Sequence, residues 1–329
     1  MYLEILYFMV FVTNILILLK LKKIAKVVNV YDKPDDIRKF HKKSTPLIGG
    51  LILLISLNIF FIFDFYLDYL QIDKNIKIYL LIFCNIFFCF GLIDDKKPIN
   101  PNIKFFIQII LAFLFIKFYQ KFFIIDYLNF SVHNYIFFLG NYEIFFYTIC
   151  IVILVNALNM FDGINGQTSV YFILILFLML IKNYNFHLII VLLLANLFIL
   201  YLNLRDKIFF GDSGIYLIAL LLSYLTIDAH QSNLLFADEI FLIFLLPGID
   251  MFRLFIVRIA KRKHPFFPDR NHLHHLLLKK YKNKITLMFL ILLSIAPYLL
   301  ALLINSFFSV ITFSIVYFLI IINLKKTLG

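Results

Sequence analysis

IKIYLLIFCNIFFCFGLIDD, residues 76–95, decides the fold class. Its apolar run, 76–93, comes close to the roughly 20 residues an α-helix needs to cross a bilayer. It ends on two adjacent carboxylates, Asp94 and Asp95. Ten runs of the same kind flank it: 1–19, 47–63, 105–120, 144–161, 167–182, 186–203, 214–230, 237–257, 285–304 and 307–323. The pattern predicts an all-α, polytopic integral membrane protein with eleven transmembrane helices. Residues 126–143 alternate weakly in polarity and are expected to form a small extracytoplasmic hairpin between the fourth and fifth spans. Neither an internal repeat nor a soluble domain is evident, so 1–329 reads as a single membrane domain.

Composition agrees. Of the residues, 63% are hydrophobic and only 15% charged, against about 25% charged in an ordinary globular domain. A soluble core of this size cannot hide that much apolar surface, whereas a bilayer can. The net charge of +12 would point to nucleic acid in a soluble protein. Threading the chain through the eleven spans gives it another meaning. Lys74, Lys77, Lys117, Lys121 and Lys182 fall on one side, which leaves 26 of the 31 Lys and Arg residues on the other. The positive-inside rule makes the rich side cytoplasmic, with the N-terminus outside, the C-terminus inside and no nucleic-acid partner. The basic residues Lys20, Lys22 and Lys23 follow the first apolar run instead of preceding it, as suits a first span and not a cleaved leader. Cys84, Cys89 and Cys150 lie in apolar runs without metal spacing and read as small hydrophobes.

The same threading puts the unusual polar residues in cytoplasmic loops. The first loop, with Lys43 and the Gly49-Gly50 pair, could be a plain positive anchor. Asp94-Asp95 is harder to explain as solvated helix end, because like charges repel and lose hydration at the membrane boundary. Lys104 follows at the start of the next helix. Asn156, Asn159 and Asp162 share a helix face, and Gly163, Asn165 and Gly166 allow a tight turn beyond it. Capping explains Asp162-Gly163 but not both asparagines. Asp212, between Gly211 and Ser213-Gly214, suits a hard cation or a simple helix cap. Arg270, His272, His274 and His275 crowd the last large loop. Zinc would need ligands that the rest of the chain does not provide, and phosphate binding beside Arg270 fits better. Asp250, inside a span with Arg253 three residues on, reads as a structural ion pair.

Five pieces in order, RKFHKKSTPLIGG, GLIDD with Lys104 downstream, NALNMFDG, FFGDSG and PDRNHLHH, resemble the polyprenyl-phosphate N-acetylhexosamine-1-phosphate transferase superfamily, glycosyltransferase family 4. The form of PDRNHLHH and the PGID upstream resemble the branch that makes polyprenyl-diphosphate-GlcNAc, the undecaprenyl-phosphate GlcNAc-1-phosphate transferases. The resemblance implies a bacterial-type inner-membrane enzyme with a cytoplasmic active site. Such an enzyme moves N-acetylhexosamine-1-phosphate, here GlcNAc-1-phosphate, from a UDP-sugar to polyprenyl phosphate and releases UMP, the first membrane step of a cell-envelope glycan. Its partners are the UDP-sugar, the polyprenyl phosphate and the lipid bilayer; a homodimer is left open.

The resemblance further implies Asp212 as the direct ligand of Mg²⁺, with Mn²⁺ a substitute. Asp94, Asp95 and Asp162 become the catalytic acids, the first two binding metal or orienting the lipid phosphate. A phosphate monoester, with its second pKa near 6, is mostly dianionic at neutral pH and has little need of a base. Asp162, Asn156, Asn159 and Asn165 would hold the nucleotide side, and Arg270, His272, His274 and His275 the diphosphate. Lys43 and Lys104 are further phosphate contacts. Many relatives have a second aspartate where this chain has Asn165, so an oxygen ligand stays but its charge does not. Transfer of phospho-MurNAc-pentapeptide, or of another UDP-HexNAc, is the nearest alternative. A transporter is the alternative of another class, but it would place polar groups at the midplane of repeated halves.

Overall fold

The computed structural model describes residues 2–32, 44–68, 73–123, 126–266 and 269–328. They form thirteen α-helices: α1 (Tyr2–Leu19), α2 (Leu21–Val28), α3 (Gly49–Leu67), α4 (Lys74–Lys96), α5 (Pro101–Tyr119), α6 (Glu143–Phe161), α7 (Gln167–Ile181), α8 (Phe186–Asn203), α9 (Gly211–Gln231), α10 (Ala237–Ala260), α11 (Leu273–Lys280), α12 (Asn283–Ile304) and α13 (Ser306–Leu328). Two short antiparallel pairs complete them: β1 (Tyr31–Asp32) with β2 (Thr45–Pro46), and β3 (Tyr127–Asn129) with β4 (Ile136–Phe138). The chain is an all-α, polytopic membrane protein.

Ten helices among the described residues are long and apolar enough to cross a bilayer. The eleventh expected span is α7, which has only 15 residues and so rises about 22 Å. Two helices also outrun their apolar cores in ways that matter below. Asp73 caps α4 by accepting from the Asn75 amide at 2.7 Å, and the helix then continues to Lys96, so Asp94 and Asp95 sit in its last turn. Asp212 lies in the first turn of α9.

The chain divides into two compact units. The first comprises Met1–Phe123 and Phe172–Leu222. Here α3 packs against α1, α4 and α8, and α4 against α5. Ser56 of α3 donates to Asn14 of α1 at 3.3 Å, both fully enclosed, a polar link of the kind that joins helices in lipid. Lys77 of α4 is 1% exposed and pairs with Asp64 of α3 at 2.9 Å and with Asp68 at 2.5 Å. An unpaired ammonium would not be tolerated at such a depth, so this triad clips the α3–α4 hairpin together. At the other end of α3, the segment before it runs beside the segment before α9: Leu47 bridges Phe209, and the Gly49 amide donates to the Phe209 carbonyl at 3.0 Å.

The second unit comprises Ile124–Tyr171 and Ser223–Gly329. Here α10 packs on α6, α12 and α13, and the short α11 lies against α12 and α13. The expected hairpin is present as β3–β4. Asn129 donates to Asn233 at 2.9 Å and Ser131 to Asp238, which ties the hairpin to the turn after α9 and to the start of α10. Helix α9, which runs through both units, is enclosed along its whole apolar length, while most other spans present bare Phe, Leu and Ile side chains outward.

Candidate active site

The first unit gathers Asp94, Asp95, Lys104 and Asp212. Lys97 leaves α4 in an extended conformation, and Asn100 then starts α5 by accepting from the Asn102 amide at 3.0 Å, with Pro101 in the first turn. That start sets Lys104 one turn into α5. Its ammonium lies 2.6 Å from Asp94 Oδ2 and 2.9 Å from Asp212 Oδ2. Two carboxylates from different helices thus converge on one positive charge. Asp94 is held further by the Ile99 amide at 2.9 Å and the Tyr216 hydroxyl at 3.1 Å. Lys104 also stands over the Tyr216 ring, 5.2 Å from its centroid. Asp94 is buried, whereas the Asp212 side chain keeps 30% of its surface, so the cluster opens through Asp212. Asp95, one residue on from Asp94, faces elsewhere: the backbone amides of Asp212 and Ser213 donate to its two oxygens at 2.7 and 3.0 Å.

The second unit gathers Asn156, Asn159, Asp162, Asn165, Arg270, His272, His274 and His275. Asp162 ends α6, and the Thr168 hydroxyl at the start of α7 donates to it at 2.6 Å, bracing the turn 163–166. The Asn156 amide donates back to the Val152 carbonyl at 2.8 Å. Asn159, Asp162 and Asn165 remain partly exposed at this helix end. A Cβ on Gly163 would lie 1.9 Å from His274 Nε2, so any larger residue there must displace the ring or the turn. The turn therefore lies directly on the histidine helix.

That helix, α11, is anchored through Asp250 of α10. Asp250 accepts from Arg253 at 2.7 Å, Tyr317 of α13 at 2.6 Å, the Leu273 amide at 3.2 Å and His272 Nδ1 at 3.0 Å. Arg253 also donates to the Tyr317 hydroxyl at 2.7 Å and the Asn271 carbonyl at 2.8 Å. Arg258 approaches His272 Nε2 at 3.4 Å, and because a guanidinium only donates, the ring hydrogen belongs on Nδ1, toward Asp250. Both His272 nitrogens are thus engaged with the protein. The His272 and His274 rings stack with centroids 5.2 Å apart, and His275 stands edge-on to His274 at 4.1 Å. Burial, with the neighbouring imidazoles, pushes His274 well below its ordinary pKa. Burial, His272 and Arg270 push His275 down to about 4. Both rings are therefore neutral near pH 7 and present N–H groups and lone pairs instead of charge. Asp269 behaves in the opposite sense: burial opposes its charge, but the Arg258 guanidinium at 2.9 Å and the Asn271 amide hold it below the usual carboxylate range.

Lys43 lies outside the described residues. Among the described residues no three His, Cys, Asp or Glu side chains are grouped to hold a metal, so a zinc-type cage is not present there. The Asp94–Asp212 pair has a different character. Mg²⁺ takes one or two protein carboxylates and fills its shell with water and phosphate oxygens, a demand that these two converging groups fit. Sequence reasoning missed Tyr216, Thr168 and Tyr317. Tyr216 carries a local signal, lying one helical turn from Asp212; Tyr317 carries none.

Comparison with known proteins accords with this picture. Residues 77–230 match the model of glycosyl transferase family 4, a stretch that contains Asp94, Asp95, Lys104, Asn156, Asn159, Asp162, Asn165 and Asp212. The chain is 25% identical over 296 residues to the undecaprenyl-phosphate alpha-N-acetylglucosaminyl 1-phosphate transferase of Escherichia coli K12, covering 82% of this chain and 75% of that protein. With the protein of the same name from Salmonella typhi, identity is 27% over 287 residues, 78% of this chain and 71% of the other. With that from Thermotoga maritima it is 31% over 158 residues, about half of each. The motifs, the helical membrane architecture and these matches agree, and residues 77–230 are similar to glycosyl transferase family 4.

Proposed function

We propose that this protein transfers N-acetylhexosamine-1-phosphate, GlcNAc-1-phosphate as the favoured group, from a UDP-sugar to polyprenyl phosphate, with undecaprenyl phosphate the expected acceptor. An oxygen of the lipid phosphate bonds to the sugar-bearing phosphorus. The bond from that phosphorus to the bridging oxygen breaks, and UMP leaves with the oxygen. The observation that carries the reading is the convergence of Asp94 and Asp212 on a single cation at the ends of α4 and α9. Two anionic substrates repel, and phosphoryl transfer depends on positioning them and neutralising spread charge. The names of the curated relatives support the same chemistry.

Asp212 and Asp94 would hold Mg²⁺, with Mn²⁺ able to replace it. The metal would neutralise phosphate charge. Lys104, already buried beside both acids, supplies a second positive charge for a phosphate oxygen. Asn156, Asn159, Asp162 and Asn165 are assigned to the nucleotide. Arg270, His274 and His275 are assigned to the diphosphate, where neutral imidazoles act as hydrogen-bond donors, while His272 orients them. The basic loops orient the chain with its C-terminus and this chemistry in the cytoplasm.

Membranes containing the protein, given Mg²⁺, polyprenyl phosphate and labelled UDP-GlcNAc, are expected to yield a lipid-linked product and UMP. EDTA or Asp212→Ala should remove at least about a hundredfold of the rate, as loss of a key charge-stabilising group does. A product that keeps UDP, or one joined through a single phosphate, rules the reading out. A panel of UDP-sugars, UDP-MurNAc-pentapeptide included, identifies the donor.

A further inference from the structure

Resting on that function, we infer that Asp95 is a positioning residue: its carboxylate caps the N-terminus of α9 from the side and so holds Asp212 in place, while Asp94 alone of the pair faces the reaction. Consecutive residues of a helix point about 100° apart, so adjacent carboxylates rarely serve one partner. Here they separate completely. Asp94 turns to Ile99, Tyr216 and Lys104. Each oxygen of Asp95 instead accepts one backbone N–H, from Asp212 at 2.7 Å and from Ser213 at 3.0 Å.

Those amides belong to the first turn of α9, where N–H groups lack partners inside the helix. The residue immediately before the helix ordinarily supplies an acceptor, but here it is Phe210, which has none in its side chain. The cap therefore comes from another helix. Its reach is short because α4 and α9 touch backbone to backbone one turn earlier: a Cβ on Gly91 would lie 2.4 Å from Ser213 Cα. The positive end of a helix is also a ready site for phosphate. In α9 that place is taken by a carboxyl group of the protein's own, which leaves the Asp212 side chain, and not the helix terminus, to meet what arrives. With its amide pinned by Asp95 and its carboxylate set 2.9 Å from Lys104, Asp212 has both ends fixed.

The test compares Asp95→Asn, Asp95→Ala and Asp212→Asn in the purified full-length chain, with three readouts: melting temperature, turnover of UDP-GlcNAc, and the Mg²⁺ concentration for half-maximal rate. Asp95→Asn keeps a carbonyl acceptor for one amide and loses the charge. It should retain activity within about tenfold, the effect of one lost hydrogen bond, with the wild-type Mg²⁺ requirement. Asp95→Ala loses both bonds and should fall about tenfold further, with a lower melting temperature. Asp212→Asn should raise the Mg²⁺ requirement. If Asp95→Asn loses more than about a hundredfold, as removal of a catalytic acid would cause, or shifts the Mg²⁺ requirement as Asp212→Asn does, the inference is overturned. Wild-type activity and melting in Asp95→Ala overturn it equally. The melting arm uses no substrate. A wild-type protein that makes no lipid-linked product would defeat the proposed function, yet the melting order wild type, Asp95→Asn, Asp95→Ala would still decide the cap. Should Asp95→Ala fail to accumulate, Asp95→Asn carries the test alone.

Discussion

Single atoms decide much of this site. At Gly163 the absence of one carbon lets the 163–166 turn lie on His274. Gly163→Ala should push ring and turn apart by more than an ångström, and a displacement of that size costs about a hundredfold in rate. Turnover of labelled UDP-GlcNAc by a protein with near-wild-type melting would show it. The imidazoles also make stability depend on pH, with a definite sign. His275, at about 4 in the folded chain, sits below its ordinary 6.5, and His274 is depressed in the same direction. Between those values the unfolded chain binds protons that the folded chain refuses, so stability is full above pH ~6.5 and falls as pH drops toward 4. Asp269, a depressed carboxylate, contributes stability that is lost only at lower pH, below about 3.9. Melting temperature measured from pH 7.5 to 4.5 should therefore decline, and His275→Gln should flatten the decline. The residue types were legible beforehand: Asp94, Asp95, Asp162, Asp212 and the histidines stand out as polar chemistry at span ends. Their division of labour was not, because which carboxylate meets an ammonium and which meets a pair of amides depends on helix crossings that no local pattern encodes.

Helices carry a second set of consequences. The α3–α4 hairpin is closed by Lys77 between Asp64 and Asp68. Lys77→Met should remove the cation paired with the buried Asp64 and destabilise the protein by about 3–5 kcal/mol, and adding Asp64→Leu should recover part of that loss. Thermal or denaturant unfolding in detergent measures both. In the second unit, Tyr317 links α13 to Asp250 and thus to the start of the histidine helix. Tyr317→Phe removes two hydrogen bonds between buried groups, one to Asp250 and one from Arg253, at a cost of about 1–3 kcal/mol, and should lower turnover without changing the UDP-sugar specificity. Spans were readable from apolar length alone, and the β3–β4 hairpin from weak alternation. Their ends were not: α4 overruns its apolar core to Lys96, and α7 falls short of a full crossing. Caps such as Asp73 and Asn100, not hydropathy, set where α4 and α5 begin.

For the molecule as a whole, charge asymmetry gives the orientation a direct test. Cysteines placed singly at Lys207 and Lys263 in a cysteine-free background should react with an impermeant thiol reagent only after the inner face is opened, and one placed at Asn183 should react from outside. Labelling of Lys207 and Lys263 from opposite faces would remove the proposed topology. The last consequence concerns α9, the least apolar of the ten long spans and the one enclosed throughout. A segment carrying Asp212, Asp228 and His230 gains little from hydrocarbon and depends on protein for its surroundings. Its polar start is met by α3, α4 and α5, all made before it, so its environment on that side is ready when it emerges from the ribosome, and Asp212→Leu should not rescue a chain in which α4 is deleted.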